Sequence, residues 1–379
     1  MSFPALEVNP LVMSLIVQDA PVAIGVSGGK DSDVVAFEIV RFLHEVGHAG
    51  PVILIHSDLG RVEHKDSLPT CERLASRLGL ELVVVRRKAG DMMDRWLTRW
   101  YSNVERYAKL ECVKLILPWS TASMRFCTSE LKTAIICRDL VERYPGQTIL
   151  SVSGIRRQES ATRAKAPVCV SQTKLTSATY QTQGYNWHPI LGWTTEDVVA
   201  YHRYHNFDLH EAYTKYGMTR VSCAYCILGS LVDLISSTMD PNNHDIYREM
   251  VELEIASTFS FQGDRWLADI APHLLDGQTL QKVVKAKRQA VLREQIEGKI
   301  PKHLLYTKGW PTVMPTRQEA VLLSKVRQDI TEVMELSIQY SDPDAILGRY
   351  AELMAKNAQR GQVLPLTAIQ QNLWDLEVA

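Results

Sequence analysis

The stretch Pro21-Val22-Ala23-Ile24-Gly25-Val26-Ser27-Gly28-Gly29-Lys30-Asp31-Ser32 decides the fold. Its first six residues form an apolar run of the length of one buried strand. The glycines at 28 and 29 let the backbone turn tightly and bring N–H groups close to a ligand. Residues 31–44 are amphipathic, so the whole reads as strand, tight loop, helix. A helix starting at such a loop presents unpaired N–H groups and the positive end of its dipole, which suits phosphate. Ser27 and Ser32 add hydroxyl donors and Lys30 adds a cation. Asp31 is suited to capping the helix or to helping organise a magnesium ion. The Walker spacing Gly-x-x-x-x-Gly-Lys-[Ser/Thr] is absent. The competing interpretation is an ordinary strand-to-helix turn with a Ser/Asp cap. Six successive matching residues between an apolar strand and an amphipathic helix weigh against it.

The pattern repeats outward. Residues 51–55, 80–85 and 148–153 read as further short strands, and 66–78 and 131–143 as helices. A helical region rich in Trp, Tyr and Arg occupies 91–117. Short strands alternating with helices predict an α/β fold, a doubly wound parallel sheet with helices on both faces. Ligands bind beyond the carboxyl ends of such strands. That places 27–33, 56–61, 86–88 and 154–163 at one candidate site, with Asp58 a nucleotide contact after the second strand.

Composition narrows the class. The chain has 379 residues, 46% of them hydrophobic, which is ample for a buried core and suggests two domains. With 42 Lys+Arg against 43 Asp+Glu it is no polycation, although a local basic groove remains compatible with a net charge of −1. Seven cysteines do not make a complete disulfide framework and fit a reducing compartment. No run is apolar enough to span a membrane, and the N-terminus lacks a basic signal region, so a cytoplasmic protein is expected. Past residue 230 glycines thin out and 246–255, 280–297, 318–340 and 344–357 read as helices. The expected division is 1–230, a nucleotide-binding α/β domain, and 231–379, a helical domain or appendage.

The Ser27–Ser32 loop resembles the PP-loop of the ATP pyrophosphatases, the adenine-nucleotide α-hydrolase-like fold. Three later blocks are similar to its phosphoadenosine-phosphosulfate reductase branch. They are Arg125-Phe-Cys127-Thr-x-x-Leu131-Lys132, Gly154-Ile-Arg156-Arg157-x-Glu159-Ser160-x-x-Arg163, and His188-Pro-Ile-x-x-Trp193-x-x-x-Asp197-Val-x-x-Tyr201, followed by Cys223-x-x-Cys226. The resemblance covers about residues 20–230. It implies ATP, with Mg2+, held by Ser27, Gly28, Gly29, Lys30, Asp31 and Ser32, together with Asp58, Gly154, Arg156, Arg157 and Arg163. Lys30, Asp31 and Arg156 carry the expected catalytic roles.

Guanidinium forks suit phosphate or sulfate oxygens, and Lys165 and Lys174 extend the basic character. The alternative for Arg156, Arg157 and Arg163 is a solvated loop paired with Glu159. Cys223 and Cys226 are spaced to hold a metal or cluster or to act as a redox pair, with a buried structural pair as the alternative. Iron–sulfur members of the branch place paired cysteines at the position of Cys127, where this chain has Phe126 before a single cysteine. The resemblance therefore implies a 4Fe–4S cluster on Cys127, Cys223 and Cys226, with one iron open to hydrosulfide. Such three-cysteine clusters occur in PP-loop enzymes that put sulfur onto nucleic acid. Cys112 or Cys137 remains a candidate fourth ligand, and Cys71 and Cys169 read as bystanders.

The soluble reductases of the branch carry a cysteine in a C-terminal Glu-Cys-Gly-Leu-His motif, whereas no cysteine follows Cys226 here. The expected activity is adenylation of an acceptor, nucleic acid above all, for sulfur transfer, as in DNA phosphorothioation. Implied partners are a sulfur donor such as a cysteine desulfurase and subunits docking on the C-terminal region. The alternatives are a sulfonucleotide reductase and a non-catalytic nucleotide-sensing subunit. Residues 95–109 interleave Trp, Tyr, Arg and Lys as a single-strand platform would, but Trp96, Trp100 and Tyr107 at helical spacing suit inward packing better. The histidines are assigned no metal.

Overall fold

The computed structural model describes residues 3–263 and 265–362. Among them the chain divides into two compact units. The first takes in residues up to 95, 119–252 and 260–275. The second takes in 96–118, 253–259 and the chain from 276 onward. In place of one boundary at 230, the chain passes between units several times. The reason is that single helices, Met92–Ala108 and His244–Ser257, each begin in the first unit and end in the second.

The first unit is built on one sheet of six strands: β1 (Val22–Gly25), β2 (Val52–Asp58), β3 (Glu81–Arg86), β4 (Thr148–Val152), β5 (Cys169–Ser171) and β6 (Gln183–Trp187). Their order is β3-β2-β1-β4-β6-β5. All pairs are parallel except β5 with β6. Strands β1, β2, β3 and β4 fall where the apolar runs place them. β5 and β6 were not anticipated, because β5 has only three residues and β6 mixes Gln, Gly, Tyr, Asn and Trp.

β1 is buried on both faces, as a central parallel strand must be. On one face Val22 and Ile24 pack with Val34, Val35 and Ile39 of the helix Lys30–Glu45. On the other, Ala23 packs with Ile53, Cys137 and Leu140. The sheet is thus covered on both sides, as doubly wound folds require.

The block 188–201 proves to be packing and capping. Thr194 and Asp197 cap the helix Thr195–His205 reciprocally: the Thr194 side chain accepts from the Asp197 N–H, and the Asp197 carboxylate from the Thr194 N–H at 2.8 Å. Tyr201 donates to Glu38 at 2.6 Å, and its ring and that of Trp193 pack on Phe3.

The second unit is helical: Gly277–Glu297, Arg317–Met334 and Pro343–Gln362 join the end of Met92–Ala108. Trp96, Trp100 and Tyr107 are buried, whereas Tyr101 is exposed. Arg293 and Glu297 form a buried ion pair (3.0 Å). Arg327, also buried, donates to the carbonyls of Tyr107, Ala108, Gln339 and Tyr340. No helix among the described residues is long and apolar enough to cross a membrane. Residues 363–379, including the tail without cysteine, lie outside the described residues.

Candidate functional site

The strand order turns at β1, with β2 on one side and β4 on the other. A crevice opens at the carboxyl ends of such a strand pair. Loop 27–32 leaves β1 there, and the turn containing Gly154 and Arg156 leaves β4 beside it.

Local chemistry shapes the loop. Gly28 has φ +72°, and a Cβ there would lie 2.9 Å from the Ser67 carbonyl oxygen. Gly29 is extended and precedes the helix with no side-chain cap. The Ser32 hydroxyl donates to the Gly29 carbonyl at 2.7 Å and accepts from the Ser27 N–H at 3.4 Å. Ser32 therefore holds the turn closed. Gly154 is required for a different reason: a Cβ on it would lie 2.9 Å from the Asp31 carbonyl oxygen.

Lys30 is only 8% exposed. Burial holds its ammonium below the ordinary lysine value, Asp31 opposes this, and Arg156 and Arg220 add to it. Arg156 is 4% exposed and donates through Nε to Asp31 at 2.6 Å. Its Nη1 donates to Gln158 and Thr195, each at 3.1 Å. The guanidinium is thus fixed beside the loop.

The other predicted contacts go elsewhere. Arg157 pairs with Glu7 (Nη2 to Oε2, 2.8 Å), and Arg163 pairs with Glu159. Of the three arginines, then, Arg156 is the one whose side chain meets the loop. Asp58 accepts from the Gly60 N–H at 2.6 Å and pairs with Arg86 at 2.5 Å, which shapes the turn after β2. Lys174 donates to the Ser129 carbonyl at 3.0 Å.

All seven cysteines are free thiols. Cys127 sits on the short turn Phe126–Thr128, followed by a π-helical turn, Ser129–Thr133. Such wide turns recur at functional sites. Cys223 pairs backbone to backbone with Glu63, and the Cys226 Sγ accepts from the Leu228 N–H at 3.4 Å. The Cys223 thiol is pushed up to about 12, first by burial and then by the nearby Cys226 and Cys127 thiols, with Lys132 opposing. Cys127 and Cys226 therefore both lie near enough to Cys223 to act on its thiol. Among the described residues, however, no three His, Cys, Asp or Glu side chains stand close enough to hold a metal ion. Cys137 is core, Cys112 is buried in the second unit, and Cys71 is buried 3.8 Å from His56.

Several neighbours of the loop escaped the sequence. Tyr213 meets the Lys30 N–H across 183 residues, and no local pattern announces it. His202, buried, faces the Lys30 carbonyl at 2.8 Å. His56 lies between the Val26 carbonyl (3.0 Å) and Glu63 (3.1 Å).

Asp33, in the first turn of the helix, is 3% exposed, and its Oδ1 has no hydrogen-bond partner among the described residues. Burial, helped by Asp31, raises its carboxyl from 3.8 to about 7. The folded state therefore keeps a proton that the unfolded chain releases, and stability falls as pH rises from about 4 to 7. Asp33→Asn is expected to raise stability by roughly 2–4 kcal/mol at about pH 8 and to change it little at about pH 4. Urea midpoints at the two pH values check this, and an equal effect at both would contradict it.

The phosphoadenosine phosphosulfate reductase domain, as a family, matches residues 21–228, more than half of the chain. The chain belongs to that family. The region matched to the phosphoadenosine phosphosulfate reductase domain contains the loop, the Arg156 turn and all three cysteines of interest. An uncharacterized 37.8 kDa protein in the gpa 5′ region of Escherichia phage 186 is 28% identical over 235 residues, which is 54% of this chain and 66% of the phage protein. The chain thus spans just under two thirds of that relative. Among solved structures, an FMN adenylyltransferase from Candida glabrata, in complex with FMN and an ATP analog, gives a TM-score of 0.35 at 17% identity, covering 53% of this chain and 54% of that one. An NH3-dependent NAD synthetase from Campylobacter jejuni, in complex with nitrate, gives 0.28 at 16%, covering 75% and 89%.

Proposed function

We propose that the protein is an ATP pyrophosphatase that adenylates an acceptor, with nucleic acid as the acceptor class and sulfur transfer as the purpose. The observation that carries this is the loop 27–32, whose helix starts at Gly29 without a side-chain N-cap, at the β1/β4 crevice with Lys30 and the Asp31–Arg156 pair in it. Family membership supports nucleotide chemistry at that loop.

In this reading ATP lies with its phosphates on the loop; Asp31 would help hold a Mg2+ ion, which would offset phosphate charge. An acceptor oxygen attacks the α-phosphorus in line, the bond to the bridging oxygen breaks, and pyrophosphate leaves. Acceptor–AMP remains, and a sulfur nucleophile then displaces AMP. Lys30 and the loop N–H groups offset charge on the leaving pyrophosphate, while Arg156 holds Asp31 in place. Catalysis is positioning plus electrostatic stabilisation.

Cys127, Cys223 and Cys226 would hold the iron–sulfur cluster. What favours the fit is the donor set: thiolates suit iron, and the buried Cys223 thiol, whose ionisation burial and the neighbouring Cys226 and Cys127 oppose, would be favoured as a thiolate by a cationic cluster. A cubane offers separate iron atoms to separate thiolates, so its ligands stand farther apart than those of one ion. With three thiolates, one iron would remain open to a sulfur ligand. A cysteine desulfurase fits as sulfur source, and the second unit as a docking surface for partner subunits.

Anaerobic purification with iron analysis, and pyrophosphate release from ATP with and without DNA or RNA, tests the proposal. Iron together with nucleic-acid-stimulated pyrophosphate release is expected. Absence of both would sink it. Thiol-dependent sulfite release from an adenylyl sulfate would replace it with the reductase.

A further inference from the structure

One segment, residues 213–221, already meets the donors that loop 27–32 would turn on a phosphate. The Tyr213 Oη accepts from the Lys30 N–H at 3.3 Å and from the Val221 N–H at 3.0 Å. The Lys30 Nζ donates to the Thr219 carbonyl at 2.9 Å and lies 4.9 Å from the centre of the Tyr213 ring. A Cβ on Gly29 would lie 3.6 Å from the Tyr213 Oη, so the hydroxyl rests directly on the loop.

The segment is itself anchored. The Thr219 N–H and hydroxyl donate to Asp233 at 2.7 and 2.9 Å, and Asp233 is 3% exposed. The Met218 N–H donates to the Ala212 carbonyl at 2.8 Å. The contact with the loop is therefore made by a fixed structure.

A phenol oxygen is a neutral acceptor. A phosphate oxygen is charged, and charge-assisted hydrogen bonds are about twice as strong as neutral ones. The donors gathered on Tyr213 thus have a better acceptor available whenever phosphate enters.

We infer that the Tyr213 hydroxyl stands in for a phosphate oxygen between turnovers, keeping the Lys30 and Val221 N–H groups paired until pyrophosphate or nucleotide takes them over. This rests on the reading of loop 27–32 as a phosphate site. It adds a donor from outside the loop, the Val221 N–H, and a competitor whose displacement lowers affinity. The Lys30 ammonium moves with it, from the Thr219 carbonyl to the ligand.

The test uses the full chain with inorganic pyrophosphate as probe. Tyr213→Phe keeps the ring against Lys30 and removes only the acceptor. By calorimetry it is expected to bind pyrophosphate at least about 2- to 10-fold more tightly than the parent, the equivalent of one of the two neutral hydrogen bonds on Tyr213 Oη no longer displaced. In amide exchange, Val221 loses protection in the free variant and regains it with pyrophosphate, which a merely structural tyrosine would not bring about. In the parent protein, pyrophosphate is expected to increase nitration of Tyr213 by tetranitromethane; this arm needs no variant and stands if Tyr213→Phe does not fold. Equal or weaker pyrophosphate binding by Tyr213→Phe, a Val221 amide indifferent to pyrophosphate in that variant, or nitration of the parent that stays level or falls overturns the inference. If the parent protein binds no pyrophosphate at all, the phosphate-site reading fails and this inference falls with it. Binding with the wrong pattern overturns the inference alone.

Discussion

Lys30→Ala is expected to weaken binding of ATP and pyrophosphate by roughly 10- to 150-fold, the range of one lost charge-assisted hydrogen bond. Among the described residues the ammonium is held at the loop by burial, by the Thr219 carbonyl and by the face of the Tyr213 ring. A lysine desolvated in this way gains more from an entering polyanion than an exposed one, because its charge is poorly compensated beforehand. Its loss leaves Asp31 paired with Arg156 and leaves the Ser32 bonds that shape the turn. Thermal unfolding should therefore change by only a few degrees while calorimetric affinity collapses. A variant that melts normally and binds pyrophosphate like the parent would remove Lys30 from the phosphate site.

The largest effect on stability is expected from Arg293→Met. Arg293 and Glu297 are 1% and 2% exposed and pair at 3.0 Å. The Arg293 Nε and Nη2 reach the Thr258 hydroxyl and carbonyl at 3.0 and 3.2 Å, and its guanidinium lies 3.7 Å from the Phe259 ring centre. Burial already raises the Glu297 carboxyl above the ordinary range against the pull of Arg293. Without the arginine, Glu297 keeps the Leu115 N–H at 2.8 Å and a distant Lys114 at 3.9 Å. Removing one partner of a buried pair costs about 3–5 kcal/mol, whereas replacing both with apolar residues is often close to neutral. Arg293→Met should thus lower the urea midpoint sharply, and adding Glu297→Leu should recover most of the loss. A double variant no better than the single would show that packing around Arg293, rather than the stranded carboxylate, sets the cost.

The first strand, loop and helix were legible because three local signals coincide between residues 21 and 45: an apolar run, paired glycines and helical periodicity. Gly154 and Arg156 were legible from their place after β4. What was hidden is contact at long separation. Arg157 turns to Glu7, 150 residues away, and nothing in 154–163 says so. Arg163 takes the nearby Glu159, a pairing that helical spacing does suggest. Tyr213 and Thr219 sit in a stretch without periodicity, so their place on the loop emerges only once the chain is folded. The expected helix 318–340 ends at Met334 because Glu335 adopts a left-handed conformation (φ +55°), which apolar patterning does not encode. β5 and β6 were missed because three residues and a mixed sequence carry no alternation to detect.

The two rims of the sheet are unequal as templates for self-association. At one rim β5 is three residues long and runs against its neighbour, too short to seed an added strand. At the other, β3 offers six residues, with Val84 39% exposed. Its protection lies at its two ends, where Glu81 pairs with Arg143 and Arg86 with Asp58. These charges act as gatekeepers: a strand docking edge to edge would have to bury or displace them. Neutralising Glu81 and Arg86 together would leave the interior untouched and open the one long edge of the sheet to aggregation.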